Sequence, residues 1–190
     1  MDQAGGPTNQ LHLVPIGEIE TGVLEEIEKS LEQAFDIRTR RERAIAVPDE
    51  TYDAFREQYH STSLLRQLSD SYPSKLGFIT VLGIIDRDLF VPQLNFVFGE
   101  ADARRQTAIV SLTRLRPEFY GLLPDSELLS SRAAKEAIHE IGHTYGLTHC
   151  PDPACVMYFS NRLGETDMKG PGLCRAHRDR LGETLSKLGE

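Results

Sequence analysis

The chain has no tryptophan, and its three cysteines all fall in the last quarter of 190 residues. An odd, clustered cysteine set does not form the disulfide framework of a small secreted domain. Nor is there any run approaching the ~18 apolar residues that a membrane span needs. Positive charge is in the minority, 21 Lys and Arg against 29 Asp and Glu, for a net charge of −8. That balance argues against nucleic acid or an anionic membrane as partner, because both are held by a basic face. The one basic run, Arg38, Arg40, Arg41 and Arg43, reads as a solvated turn or a strand edge. Internal repeats and low-complexity segments are also missing. Met1 to Pro7 carries Asp2 and lacks the apolar stretch of a secretory signal, so the expected compartment is the cytoplasm.

What remains is an ordinary globular composition, 39% hydrophobic and 26% charged. Its length suits one core with room for a small appended subdomain. Residues 1–9 are polar and read as a mobile lead-in. Leu11 to Ile16 reads as a first strand, ended by Gly17. Thr21 is placed to cap a helix whose Val23, Ile27, Leu31, Ala34 and Phe35 share one face, with Glu25, Glu26, Glu28 and Glu32 toward water. Ala44 to Val47 reads as a second strand stopped by Pro48, and Thr62 to Leu68 as a helix with Leu64, Leu65 and Leu68 inward. Three strand-like runs follow: Gly77 to Ile85, Leu94 to Phe98 and Thr107 to Leu112. The first is almost wholly apolar, as a strand covered on both faces would be. Asp125 or Ser126 caps a helix carrying Leu129, Ala134, Ala137, Ile138 and Ile141 and ending near Gly146. A loop-rich tail leads to an amphipathic helix with Leu181, Leu185 and Leu188. This alternation predicts an α/β or α+β sandwich around a mixed sheet.

The chemistry concentrates in His139-Glu140-Ile141-Gly142-His143-Thr144-Tyr145-Gly146-Leu147-Thr148-His149. On a helix, His139 and His143 project from one face and grip one ion. Glu140 stands beside a coordination position left open, since three protein ligands plus water mark a catalytic zinc and four mark a structural one. Zinc acidifies water and polarises a carbonyl while a nearby carboxylate accepts the proton. HExxH alone arises by accident in roughly one chain in a hundred of this length; with the added Gly and His the rate is about one in a hundred thousand. The additions have a physical reason. Continued helix would carry His149 ~15 Å along the axis from His139. Gly146 can take a left-handed conformation that ends the helix and turns His149 back to the ion.

A second set follows at once. Cys150-x4-Cys155 and Cys174-x2-His177 offer four ligands in two pairs, the pattern of a structural zinc. The tail has few large apolar residues, so a metal would supply the stability that its core cannot. The other readings are unligated buried thiols with a surface His177, or a nucleic-acid-binding finger, which the charge disfavours. Two zinc ions per chain are expected, joined through the adjacent His149 and Cys150.

HExxHxxGxxH-C-x4-C-x-M, with a further ligand pair downstream, resembles the archaemetzincin branch of the metzincin peptidases. The resemblance matches His139, His143 and His149 to the catalytic zinc ligands and Glu140 to the general base. Cys150, Cys155 and Cys174 match three of the four structural ligands, and Met157 matches the methionine of the Met-turn. His177 stands where the family more often has cysteine, so a Cys3His site is expected. The interval from Met157 to Cys174 is slightly compressed. The likeness is firm over 139–177 and extends more loosely over 86–121.

It implies a metzincin-like zincin fold: a mixed twisted sheet with backing and active-site helices, and a small zinc-stabilised C-terminal subdomain. The division expected is 1–149 for sheet and active-site helix, 150–190 for structural zinc, Met-turn and C-terminal helix. It also implies an edge strand near Leu94 to Gly99 that pairs with extended substrate, though an ordinary core strand reads equally well there. Tyr158 is either an oxyanion donor or a packing residue, and Met157 is filling beneath the ligands. The expected function is a monomeric zinc metallopeptidase acting on peptides or unfolded polypeptide. The alternative is a catalytically silent, zinc-stabilised protein that binds a peptide or partner.

Overall fold

The computed structural model describes residues 10–72 and 79–188. The expected mobile lead-in at 1–9 lies outside the described residues, as do Gly77 and Phe78 of the expected third strand. Eight strands and five α-helices alternate along the described chain: β1 Gln10–Ile16, α1 Thr21–Phe35, β2 Arg38–Arg41, β3 Tyr52–Asp53, β4 Gln58–His60, α2 Ser61–Ser71, β5 Ile79–Ile85, β6 Leu89–Phe90, β7 Gly99–Asp102, β8 Thr107–Ser111, α3 Ser126–Thr144, α4 Leu163–Met168 and α5 Arg175–Leu188. The main sheet runs β2-β1-β5-β8-β7 and is mixed: four parallel strands with β7 antiparallel at the edge. Strands β3, β4 and β6 form a smaller sheet.

Period-two alternation divides the main sheet between two helical layers. Leu11, Leu13, Leu82, Ile84, Ala108 and Val110 face α1 and α3, sharing a core with Val23, Ile27, Leu31, Ala137 and Ile141. Val14, Ile16, Val81, Ile85 and Ile109 face α2, against Leu64, Leu65 and Leu68. The Cys-rich tail is part of the first core through Cys155, Val156, Met157 and Leu181. Burial on both faces explains the unbroken apolar run of β5.

Several expectations change in detail. Thr21 is the first helical residue of α1, and Glu20 holds the cap position without a side-chain hydrogen bond. The strand expected at Ala44 to Val47 is a single bridge, Ile45 to Ile16. The partner of β1 is instead the basic run, β2. It is an edge strand, and arginine suits an edge because charge discourages pairing with other chains; Arg41 is held by both carboxylate oxygens of Glu28 at 2.7 and 2.6 Å. Leu94 to Phe98 is not a strand. The Arg56 guanidinium takes the carbonyls of Leu94 and Asn95 at 2.9 and 3.1 Å, and the Gln58 amide takes that of Asn95 at 2.9 Å. Side chains thus replace a ladder, and the edge strand begins only at Gly99. The tail also contains α4, which no periodicity announces.

Candidate active site and metal centres

Helix α3 carries the first candidate ligand pair, His139 and His143. Asp125 caps it by accepting the Leu128 N–H at 2.9 Å, and its apolar stripe anchors it on the core. It ends as the sequence predicts: Gly146 is left-handed at φ 78°, and the Leu147 N–H returns to the Gly142 carbonyl at 3.0 Å. That reversal brings His149 level with His139 and His143, so that one ring nitrogen from each lies within 4.8 Å of the others.

The protonation of two rings follows from their partners. His139 Nδ1 donates to the Val156 carbonyl at 2.9 Å, and His143 Nδ1 donates to the Leu147 carbonyl at 2.8 Å. A carbonyl only accepts, so both hydrogens sit on Nδ1. The two Nε2 atoms, 3.1 Å apart, therefore point lone pair toward lone pair. That contact is repulsive without a cation between them, and it fits a metal. Burial, with the Lys169 charge second, pushes the His139 pKa down to about 2, and burial lowers His143 and His149 as well. All three stay neutral near pH 7, the state a metal requires.

Glu140 is buried, and burial first, then Glu136, pushes its carboxyl up to about 8. It faces a cleft of about 230 Å3 lined by 94–99, Glu136, His139, Glu140, Phe159, Ser160 and Asn161. The cleft is walled by 94–98, the irregular approach to β7, where a strand was expected. A roomier groove of about 420 Å3 between α1 and α3 includes none of the three histidines and not Glu140. Phe159 packs tilted against the His149 ring, centroids 4.6 Å apart, and lines the cleft; Tyr158 does not. Met157 is fully buried, packed beneath α3 at Gly142.

Cys150, Cys155, Cys174 and His177 also converge within 4.8 Å. His177 Nε2 donates to the Thr148 carbonyl at 3.0 Å, leaving Nδ1 for the sulfurs, 3.2 Å from Cys174 Sγ. The Cys174 N–H donates to Cys155 Sγ at 3.3 Å. Hydrogen bonding to His177 pulls the Cys174 thiol down to about 7, whereas burial pushes Cys150 up to about 11. This cluster also suits zinc, and its hold on Thr148 fastens it to the residue before His149.

Sequence reasoning missed Gly99, Glu136, Gly142, Phe159 and Lys169. An isolated glycine after an aromatic run signals close backbone approach, and Gly142 lies inside the motif itself. Nothing in its neighbourhood distinguishes Lys169.

A three-histidine site with a buried glutamate, at the end of a helix under an antiparallel edge strand, defines a zinc-dependent peptidase. The description of peptidase family M54 matches residues 22–183. The archaemetzincin of Pyrococcus furiosus is 38% identical over 180 residues, covering 92% of this chain and 93% of its own. Two crystal structures share the fold. A zinc-dependent peptidase from Methanocorpusculum labreanum has a TM-score of 0.83 at 31% identity, covering 90% of this chain and 99% of its own. The Methanopyrus kandleri archaemetzincin has a TM-score of 0.81 at 36% identity, covering 95% and 97%. The chain belongs to the archaemetzincins, peptidase family M54, and is a zinc metallopeptidase.

Proposed function

We propose that this chain is a metzincin-type enzyme that cleaves extended polypeptide with Glu140 as general base and His139, His143 and His149 holding the catalytic zinc. Cys150, Cys155, Cys174 and His177 would hold a second, structural zinc, for two ions per chain. The observation that carries the reading is the pair of Nε2 lone pairs facing each other at 3.1 Å. When bound, zinc supplies Lewis acidity that acidifies water and polarises the scissile carbonyl. A Glu140 carboxylate oxygen, which the zinc charge would keep ionised against the burial that raises its carboxyl, takes the proton and returns it to the nitrogen of the leaving amine. Burial of Glu140 keeps bulk water from competing for that proton and strengthens the fields acting on it.

Substrate is held by β7. The Ser111 N–H bonds the Phe98 carbonyl at 2.8 Å, and hydrogen-bonded pairs alternate along an antiparallel ladder. Gly99 and Ala101 therefore turn their backbone groups to the free edge, where an extended peptide adds as a strand. The 150–190 segment acts as a zinc-stabilised subdomain that holds His149 in register. An acidic chain fits polypeptide substrates in the cytoplasm better than nucleic acid.

The test is a broad library of peptides from denatured protein, offered to wild type and Glu140→Ala, with products read by mass spectrometry and metal by elemental analysis. Wild type should cut internal or terminal bonds and the variant none, both with two zinc ions. A library left intact by zinc-loaded wild type would instead favour a silent peptide-binding protein.

A further inference from the structure

Apolar side chains exposed singly are common and mean little, whereas a contiguous set marks a binding surface. The five residues from Phe119 to Leu123 carry four of them. Phe119 and Tyr120 are nearly half exposed, and Leu122 and Leu123 are exposed at 63% and 86%.

This run is not a loose loop. Pro117–Tyr120 is a 3-10 turn, ended by Gly121 in the left-handed conformation at φ 74°. The Gly121 N–H donates to the Glu118 carbonyl at 3.0 Å, and the Leu122 N–H to that of Pro117 at 3.2 Å. The Tyr120 hydroxyl donates to the Arg114 carbonyl at 3.1 Å. Beneath it, Arg114 binds both carboxylate oxygens of Asp88 at 2.6 and 2.7 Å. Arg116 binds Asp86 at 2.9 Å and Glu20 at 2.8 Å. A turn tied this firmly displays its apolar side chains; it has not merely failed to bury them.

Packing links the display to the cleft. Phe96 and Phe98 line the cleft, with ring centroids 5.1 Å apart. The Arg114 guanidinium lies 4.3 Å over the Phe96 ring and 4.9 Å over that of Phe119. Phe119 in turn meets Tyr120 edge-on at 5.1 Å. Each contact is ordinary on its own. In series they make a continuous path from the cleft wall to the exposed run, although none of residues 117–123 lines the cleft itself.

An apolar surface of this kind suits a second copy of the chain or a bound polypeptide. A stable dimer needs about 800 Å2 and about 20–30 residues from each partner, and this turn presents four side chains. Two chains of net charge −8 also repel each other. A polypeptide in the cleft already lies at the other end of the path, so its contact with the turn is an intramolecular step favoured by proximity.

We propose that Phe119, Tyr120, Leu122 and Leu123 form a second binding surface for polypeptide, which takes an apolar stretch of the same chain that occupies the cleft. The proposal rests on the peptidase reading for the occupant of the cleft. An extended chain covers about 3.3 Å per residue, so a peptide passing from Gly99 over Phe96 reaches Phe119 roughly five to seven residues from the scissile bond. Phe96 precedes Gly99 along the wall while β7 runs on from Gly99 the other way, so the apolar stretch acts on one side of that bond only. Binding there raises affinity without speeding bond cleavage, because the surface touches no reacting atom. Apolar stretches are buried in folded proteins and open in unfolded ones, so the surface selects denatured polypeptide.

The test uses peptides that share one cleaved core sequence, extended at either end by a Phe- and Leu-rich stretch or by Gly and Ser of equal length. The zinc-loaded wild type is compared with Phe119→Ser, Leu122→Ser and Leu123→Ser combined. Leu122→Ser with Leu123→Ser is the second variant, should loss of the Phe119 ring loosen Arg114. Thermal unfolding and sedimentation accompany the kinetics. Wild type should show a KM about tenfold lower for the apolar extension, at one end only, with kcat little changed. The folded variant should lose that difference yet cut the unextended core peptide as wild type does. No gain, an equal gain at both ends, or a gain that survives in the folded variant would overturn the proposal. So would a wild-type dimer that the variant converts to monomer, which would make the turn a dimer interface. Failure of wild type to cut the core peptide would sink the peptidase reading. Fluorescence anisotropy of the labelled, apolar-extended peptide would still judge the surface, binding wild type and not the variant if the proposal holds.

Discussion

Gly99 and Glu140 are packed so closely that a Cβ on Gly99 would stand 2.7 Å from the Glu140 Cγ and 2.8 Å from its Oε1. The same Cβ would lie 2.7 Å from the Ile109 carbonyl oxygen, so neither neighbour yields cheaply. The first residue of the edge strand is thus a glycine because the Glu140 side chain occupies the space its own would need. Gly99→Ala should cost about 1–3 kcal/mol of stability through overpacking and displace the Glu140 carboxylate. We expect turnover to fall by a larger factor than the loss of folded protein, with zinc content unchanged. Calorimetry, elemental analysis and a peptide assay on one preparation decide it; normal turnover in a destabilised protein would detach Gly99 from the chemistry.

That relationship marks the boundary of what the sequence makes legible. The two candidate ligand sets are readable because each depends on local spacing: three intervening residues between His139 and His143, a glycine to reverse the chain, two intervening residues between Cys174 and His177. The helices and the buried strands follow from apolar period. Leu94 to Phe98 misleads because its apolar residues suit a strand, and only the fold reveals that Arg56 and Gln58 have taken its carbonyls. Arg38 to Arg41 is a strand hidden by edge chemistry. Gly99 against Glu140, and Lys169 against Glu136, join segments distant in the chain, and no local pattern encodes such a pairing.

A second close approach lies under the site. A Cβ on Gly142 would meet Met157 Sδ at 2.6 Å and its Cε at 3.1 Å. Methionine is pliable, but Met157 is fully buried and has little room to retreat. Gly142→Ala should destabilise by about 1–3 kcal/mol, and Met157→Ala by about 2–5 kcal/mol through the cavity it leaves. Together they should cost less than their sum, because the added methyl enters the vacated space. Denaturant unfolding of the zinc-loaded proteins measures the coupling; simple additivity would show that the two residues do not support each other.

If substrate adds to the free edge of β7, the outward N–H of Ala101 is one of its few backbone donors. Proline is tolerated on an edge strand where the lost N–H faces solvent. Ala101→Pro should therefore leave the fold intact while removing one bond to the peptide. A net hydrogen bond of about 0.5–1.5 kcal/mol predicts a KM roughly two- to tenfold higher with kcat nearly unchanged. Equal kinetics in a well-folded variant would place the peptide elsewhere in the cleft.

The two metal centres should also differ in their exchange of protons. His139 is held down to about 2, and His143 and His149 are lowered by burial, so near pH 7.5 the histidine site has no proton to shed when zinc arrives. Cys150 is raised to about 11 by burial and must lose its proton to become a ligand; Cys174, lowered to about 7 chiefly by His177, is already largely thiolate. The sign follows. A thiol whose folded value lies below its unfolded one adds stability above the unfolded value, and loses it as pH falls through the folded one; this describes Cys174, while Cys150 works the other way. Metal binding at the thiol cluster must therefore weaken as pH drops from 8 toward 6, and more steeply than binding at the three histidines, which burial keeps below the usual imidazole range. Titration calorimetry of the metal-free protein, repeated in buffers of different ionisation enthalpy, counts the protons. Glu140→Ala is the background of choice, since it removes the one nearby carboxyl that titrates in the same range. We expect at least one proton released for the thiol site, and for the histidine site no more than the fraction that an acidified zinc-bound water gives up. Release of more than one proton at the histidine site would mean that its rings are charged before the metal binds, contrary to the paired Nδ1 donors.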